Sequence, residues 1–278
     1  MFSILIPTWN NLPYLQLCLE SLRKNAVGSH QIILHINEGT DGTLQWVKDQ
    51  KLDYTYSERN LGICTALNLM AMKAVHPYIL YLNDDMYCCP DWDKYLIEEI
   101  KRMQTDCFML SATLIEPLPS RNTCVIVADF GQDAANFKEQ RLIDEFRKLP
   151  KDDWSGSTWP PTLIHKKYWG MVGGYSLEFS PGMSSDDDFS MKMWQIGCRI
   201  FKGVAQSRVY HFQRKSTERV IKNNGRKQFL MKWGINQSTF RKYYLSMGEP
   251  YEGILADPPH TYSLKLELLR AWLKRKLM

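Results

Sequence analysis

The strongest constraint on how this chain can fold is the alternation of short apolar runs with helix-period segments through its first hundred residues. Phe2–Pro7 (FSILIP) is a continuous apolar run closed by proline, the pattern of a strand buried on both faces. Leu12–Lys24 follows, with Leu15, Cys18, Leu19 and Leu22 at helical spacing. Gln31–Ile36 (QIILHI) and Asp53–Ser57 read as the next strands, with a short helix over Asp41–Asp49 between them. Asn60–Val75 reads as a helix carrying Leu61, Leu67, Met70 and Ala71 on one side. Tyr78–Leu82 (YILYL) is a fourth strand, which stops at Asn83-Asp84-Asp85. Such alternation predicts an α/β fold: parallel strands in a sheet with helices on both faces.

The rest of the chain is less regular. Asp106–Ile115 reads as a strand, Ala135–Lys148 as a helix and Thr162–His165 as a strand. The acidic run Met183–Asp188 leads into a helix over Phe189–Ile196, and Val204–Phe212 holds a last strand. Beyond it the chain turns helical and basic, which predicts a domain over 1–212 and a basic helical extension over 213–278. Residues 199–278 carry 17 Lys/Arg against 5 Asp/Glu, whereas residues 1–198 carry 18 against 25. An acidic front suits a metal or acid/base chemistry, and a basic tail suits phosphates or an anionic membrane.

Apolar residues make up 44% of the 278 and charged residues 23%, which excludes a disordered chain, a collagen-like chain and a disulfide miniprotein. No apolar run reaches the roughly 18 to 20 residues that span a bilayer. The opening MFSILIPTWNN has no basic n-region and no small-residue cleavage site, so no secretory signal is expected. The seven cysteines are odd in number and form no C-x-x-C pair, which predicts reduced, mostly buried thiols in a cytoplasmic protein.

In α/β sheets, ligands bind beyond the carboxyl ends of the strands. Three polar clusters fall there: Pro7-Thr8-Trp9-Asn10, Asn37-Glu38-Gly39 and Asn83-Asp84-Asp85. Adjacent carboxylates after an apolar strand cost stability unless they are used, and a hard cation relieves their repulsion. A solvated turn with an aspartate capping the helix that begins near Pro90 is the plainer reading of the same residues. Glu38, before Gly39-Thr40-Asp41-Gly42, has the acceptor chemistry to read a base or a ribose hydroxyl, while Asp41 caps the helix that follows. The Ser184–Asp188 cluster begins a helix; it supplies either N-terminal caps or a general base that takes a proton from an acceptor hydroxyl. His211 is either structural or a neutral metal ligand.

Taken together these clusters resemble the family-2 inverting glycosyltransferases of the GT-A fold. SILIPTWNN resembles the opening strand motif, INEGTDGT the base-binding loop, and RNLGICTALN the segment that lines the nucleotide pocket with a helix N-terminus towards phosphate. YLNDDMY resembles the D-x-D region, and GGYSLEFSPGMSSDDDFSMKMWQIG the acceptor-side motif with its acidic residue. The resemblance covers about residues 1–212 and implies a Rossmann-like mixed sheet flanked by helices. It implies that Pro7, Thr8 and Asn10 edge the nucleotide and that Glu38 reads base or ribose. Asn60 and Asn68 would support the pocket, with Asn83 and Asp84 at the ribose or sugar. Asp85 would hold Mn²⁺ or Mg²⁺ with His211 as a late ligand. Asp186 would be the base, with Asp187 in competition because a one-residue shift exchanges them. Asn83 stands where an aspartate is usual, Glu38 where an aspartate is usual, and Ser185 where a glutamate is common.

The implied reaction transfers a sugar, with inversion, from a nucleoside-diphosphate donor to an acceptor hydroxyl in cell-surface glycan synthesis. UDP-sugar is favoured over dTDP- or GDP-sugar, and the acceptor would be a glycan or a lipid-linked glycan. Trp154, Trp159 and Trp169 are candidates for stacking on sugar. In the tail, Arg214, Lys215, Arg219, Lys222, Arg226, Lys227 and Lys232 make a basic stretch. Leu264, Leu268, Trp272 and Leu273 fall near one face of a terminal helix, with Lys265, Arg270, Lys274, Arg275 and Lys276 supplying charge. This predicts either a docked helix or peripheral contact of 264–278 with the inner membrane face. Rival readings are a nucleotidyltransferase, whose Gly-rich basic phosphate loop is missing here, and a non-catalytic sugar- or nucleotide-binding module. Nucleic acid is not expected as a partner, since the total charge is modest and no such motif occurs.

Overall fold

The computed structural model describes residues 1–120, 122–213 and 222–277. The first half runs β1 (Phe2–Trp9), α1 (Leu12–Lys24), β2 (Gln31–Asn37), α2 (Thr43–Asp49), β3 (Asp53–Ser57), α3 (Gly62–Ala71) and β4 (Tyr78–Tyr81). Then follow β5 (Met86–Cys88), α4 (Trp92–Arg102), β6 (Met109–Glu116), β7 (Ile126–Val127) and α5 (Glu139–Glu145). Next come β8 (Trp154–Ser155), β9 (Thr162–His165), α6 (Lys166–Met171), α7 (Ser185–Gln195) and β10 (Phe201–His211). The chain closes with α8 (Gly225–Trp233), α9 (Gln237–Thr239), a π-helical turn at Phe240–Tyr244, and α10 (Tyr262–Lys276).

One mixed sheet carries the order β3-β2-β1-β4-β9-β6-β10-β5. The β3, β2, β1 and β4 strands are parallel, with Leu5 opposite Ile33 on one side and Tyr81 on the other. The β9 strand lies antiparallel between β4 and β6, β10 is parallel to β6, and β5 closes the edge antiparallel to β10. Apolar period two sorts the strands between two cores. Ile4, Ile6, Leu34 and Leu80 face Leu15, Leu19 and Leu22 of α1 and Trp92 and Leu96 of α4. Leu5, Ile33, Ile79 and Tyr81 face Leu67 and Met70 of α3 and Phe189 and Met193 of α7.

Several boundaries differ from the sequence expectation. The Asn60–Val75 helix contracts to Gly62–Ala71, because Asn60 bonds the Gly62 amide and the first turn forms only beyond it. The strand read over Asp106–Ile115 is Met109–Glu116, and the last strand begins at Phe201 rather than Val204. The helix read from Phe189 begins at Ser185, so the three acids occupy its first turn. The β5 strand, three residues long, is too short to leave a periodicity. Arg214, Lys215 and Arg219 lie outside the described residues. From Gly225 onward the described residues form helices joined by loops, and they share a core with the sheet: Phe229, Ile235, Phe240 and Leu245 pack in the cluster that holds Leu5 and Ile33.

All seven cysteines are free; six are buried and Cys107 is half-buried. Among the described residues no helix is long and apolar enough to cross a membrane.

Candidate active site

The carboxyl ends of β1, β2, β4 and β6 converge on a cavity of about 520 Å³. Pro7, Thr8, Asn60, Asn83, Asp84, Asp85, Asp186 and His211 all line it. These residues come from five separate stretches of sequence and meet because parallel strands end on the same edge.

Thr8 is the penultimate residue of β1, and its hydroxyl donates to Asp84 Oδ2 at 2.6 Å. This bond fixes one carboxylate of the pair at the mouth of β4. Asp85, beside it, is buried, and its Oδ2 lies 3.5 Å from His211 Nε2. His211 Nδ1 sits 2.9 Å from Glu116 Oε1, at the end of β6. Burial would lower the His211 pKa, but Asp85 and Glu116 outweigh it and raise it to about 10. Without a cation the imidazolium therefore serves as counter-charge to both carboxylates. Among the described residues no three His, Cys, Asp or Glu side chains form a ready-made metal cluster. Carboxylate and imidazole are nevertheless ordinary donors for Mn²⁺. Glu116 is placed as the outer partner that orients such a histidine. Two protein donors, with a substrate diphosphate to complete the sphere, fit a hard divalent cation.

The three consecutive acids of α7 have three different surroundings. Asp186 faces the cavity and accepts from the Tyr175 hydroxyl at 2.9 Å. Burial raises its pKa to about 7; Asp187 adds to the rise, and Tyr175 and Arg241 oppose it. Asp187 lies outside the cavity lining, fully buried, where Arg241 binds both its oxygens at 2.6 and 2.7 Å and Gln237 donates a further bond. Asp188 accepts from Ser176 at 2.6 Å and Trp233 at 2.9 Å, and pairs with Lys232 at 2.9 Å. Helical geometry turns each successive side chain by about 100°, so only one of the three reaches the cavity.

Three of the expected nucleotide residues stand elsewhere. Asn68 does not line the cavity. Its amide bonds the backbone N–H and C=O of Tyr175, each at 2.8 Å, and so holds the tyrosine that holds Asp186. Gly174 is obligatory for this contact, since a Cβ there would sit 2.3 Å from Asn68 Oδ1. Glu38 and Asn10 also lie beyond the cavity lining; both have positive φ and bond each other at 3.1 Å. The expected helix N-terminus is closed to phosphate at its first amides. Leu61 N–H donates to Asn37, Gly62 N–H to Asn60 and Ile63 N–H to the Pro181 carbonyl. Asp41, expected to cap α2, is not its N-cap, which is Gly42; Asp41 stands one residue before it and takes the amides of Thr43 and, across the loop, Leu12. Of the three tryptophans, Trp154 and Trp169 are buried in the core and Trp159 lines the cavity, with the Arg241 guanidinium 4.7 Å from its ring.

Sequence reasoning passed over Glu116, Tyr175 and Arg241. Glu116 carries a signal of the kind that marked Asp84, an acid that ends an apolar strand. Tyr175 and Arg241 carry none, because their partners are distant in sequence.

The fold is that of the GT-A glycosyltransferases. Residues 3–148 match the profile of Glycosyl transferase family 2, more than half of the chain, and the chain belongs to that family. No curated protein matches by sequence. Among solved structures, S. aureus TarS 1-349 in complex with UDP superposes with a TM-score of 0.62 at 15% identity, over 99% of this chain and 71% of that one. The same protein in complex with UDP-GlcNAc gives 0.61 at 15% identity, over 99% and 72%. GalNAc-T7 with UDP, GalNAc and Mn²⁺ gives 0.56 at 17% identity, over 81% of this chain and 44% of that one.

Proposed function

We propose that this glycosyltransferase moves a sugar, with inversion, from a nucleoside-diphosphate donor to an acceptor hydroxyl. The observation that carries the reading is the convergence of Asp84, Asp85 and His211 with Asp186 on one cavity. A UDP-sugar is the favoured donor, in keeping with the UDP, UDP-GlcNAc and Mn²⁺ bound by structures of the same fold. Pro7, Thr8, Asn60, Asn83 and Asp84 would border the donor. Glu38 and Asn10 would act at the outer rim of the nucleotide end, and Asn68 through Tyr175. Asp85 and His211 would hold Mn²⁺ or Mg²⁺. Such an ion supplies Lewis-acid neutralisation of the leaving diphosphate.

Asp186 accepts the proton of the acceptor hydroxyl, whose oxygen attacks the anomeric carbon from the face opposite the diphosphate. Its elevated pKa suits that role, since a base titrating near the working pH combines availability with driving force. Asp187 would orient Asp186 by anchoring their helix. Trp159 offers the acceptor a stacking face. We place the acceptor among glycans or lipid-linked glycans of cell-surface synthesis and the enzyme on the cytoplasmic side, where free thiols persist.

Calorimetric titration with UDP, GDP and dTDP, with Mn²⁺ and with chelator, tests the reading on wild type and Asp85→Ala. Metal-dependent binding of one diphosphate, lost in the variant, is expected. No binding of any of them would remove the donor assignment.

A further inference from the structure

The α10 helix is apolar on two opposite sides. Its inner side carries Leu264 and Ala271, both buried, and Leu268, which packs on the main core. The Thr261 hydroxyl caps the start of the helix at the Leu264 amide, and Tyr243, whose hydroxyl lies 2.6 Å from that of Ser263, ties it to the preceding π-helical turn. The sequence expectation put Trp272 and Leu273 on this side as well. They are instead 54% and 46% exposed, because Ala271 occupies the contact and turns both outward.

The outer side repeats the pattern. Tyr262, Leu266, Leu269, Leu273 and Leu277 recur at three- and four-residue spacing and so form one stripe. Leu269 is 51% exposed and Leu277 87%. Lys265 and Lys276 border the stripe on one side, Arg270 and Lys274 on the other. Trp272 stands beside the first border, its ring 6.0 Å from the Lys276 ammonium. The helix holds a single acid, Glu267, which is half-buried and already bonded to Arg270 at 2.8 Å.

We infer that this outer stripe lies on an anionic lipid surface, with the leucines and Trp272 in the interfacial layer and the lysines and arginine at the headgroups. Charge decides the occupant. A second copy docked stripe to stripe would bring the basic borders together with one engaged acid per helix to offset them. A lipid surface supplies hydrocarbon to the stripe and anions to both borders. The inference goes beyond the proposed transfer reaction, and rests on that reading only in that a lipid surface suits a lipid-linked acceptor.

The test is co-sedimentation of the full chain with vesicles of phosphatidylcholine, and of equal parts phosphatidylcholine and phosphatidylglycerol. Neither donor nor acceptor is present, so the result is independent of the transfer reading. Wild type should favour the anionic vesicles by about tenfold or more. Leu269→Ser/Leu273→Ser and Lys265→Glu/Lys276→Glu should each lose about tenfold or more of that binding, with unchanged thermal melts because all four side chains face outward. Equal binding to both vesicles, or anionic binding untouched by either variant, would overturn the inference. So would a dimer in sedimentation velocity that dissociates in the leucine variant while no vesicle binds.

Discussion

Asp186 and Asp187 are neighbours in sequence and opposites in surroundings, so the same substitution has different consequences at each. In Asp186 the pKa stands near 7 against an ordinary 3.8. The fold therefore disfavours its ionised form. That penalty is absent below about pH 4, grows as pH rises, and is complete above about pH 7. Asp186→Asn should remove the penalty, so its Tm should exceed wild type above pH 7 and approach it near pH 4. It should also cost at least about a hundredfold in turnover. Asp187→Asn should do the reverse. It strips a bidentate partner from Arg241 and should lose about 2 kcal/mol of stability. Melts across pH and initial rates on both variants check the contrast. In wild type, the rate should fall as pH drops below about 7, where the base takes up its proton.

At the scale of elements, the cavity wall depends on how α3 meets the loop before α7. Gly62, at the start of α3, has φ +77°, and a Cβ there would meet Pro181 Cα at 2.7 Å. The Ile63 amide donates to the Pro181 carbonyl at 2.9 Å, which holds the two segments in this close approach. Gly62→Ala combines a left-handed conformation with a backbone clash and should cost about 2 kcal/mol or more. Its Tm should fall by several degrees, and turnover should fall with it, because the loop that moves leads directly to Asp186. A variant with wild-type melt and rate would show that this contact does not set the cavity.

For the molecule as a whole, the chain from Gly225 onward is part of the same packed body as the sheet. It supplies Phe229, Ile235, Phe240 and Leu245 to the main core, and Lys232, Trp233, Gln237 and Arg241 to the acids of α7. A chain ending at Gln213 would expose that core, strip Asp187 of Arg241 and leave Asp188 with Lys192 but without Lys232. It should lack the near-UV dichroism and protease resistance of the full chain, and show no diphosphate binding. A folded, binding-competent fragment would instead make the tail an accessory.

The strands β1 to β4 and the helices between them, and the strand-end position of Thr8, Asp84 and Asp85, were legible in the sequence, whereas the three-residue β5 was not. Period two, period 3.6 and an acid after an apolar run are local signals, set within a few residues of one another. The membership of the cavity was only partly legible. Whether Asp186 or Asp187 faces the cavity depends on one helical step and on an arginine fifty-four positions away. Asn68 looked like a pocket residue and became a brace for Tyr175, a partner 107 residues on and beyond the reach of any local pattern. The terminal helix, apolar on both sides, left its inward face undecided until Ala271 met the core. Local patterns determine which elements form. Which side chain of an element meets which partner depends on contacts between distant segments, and those exist only once the chain has packed.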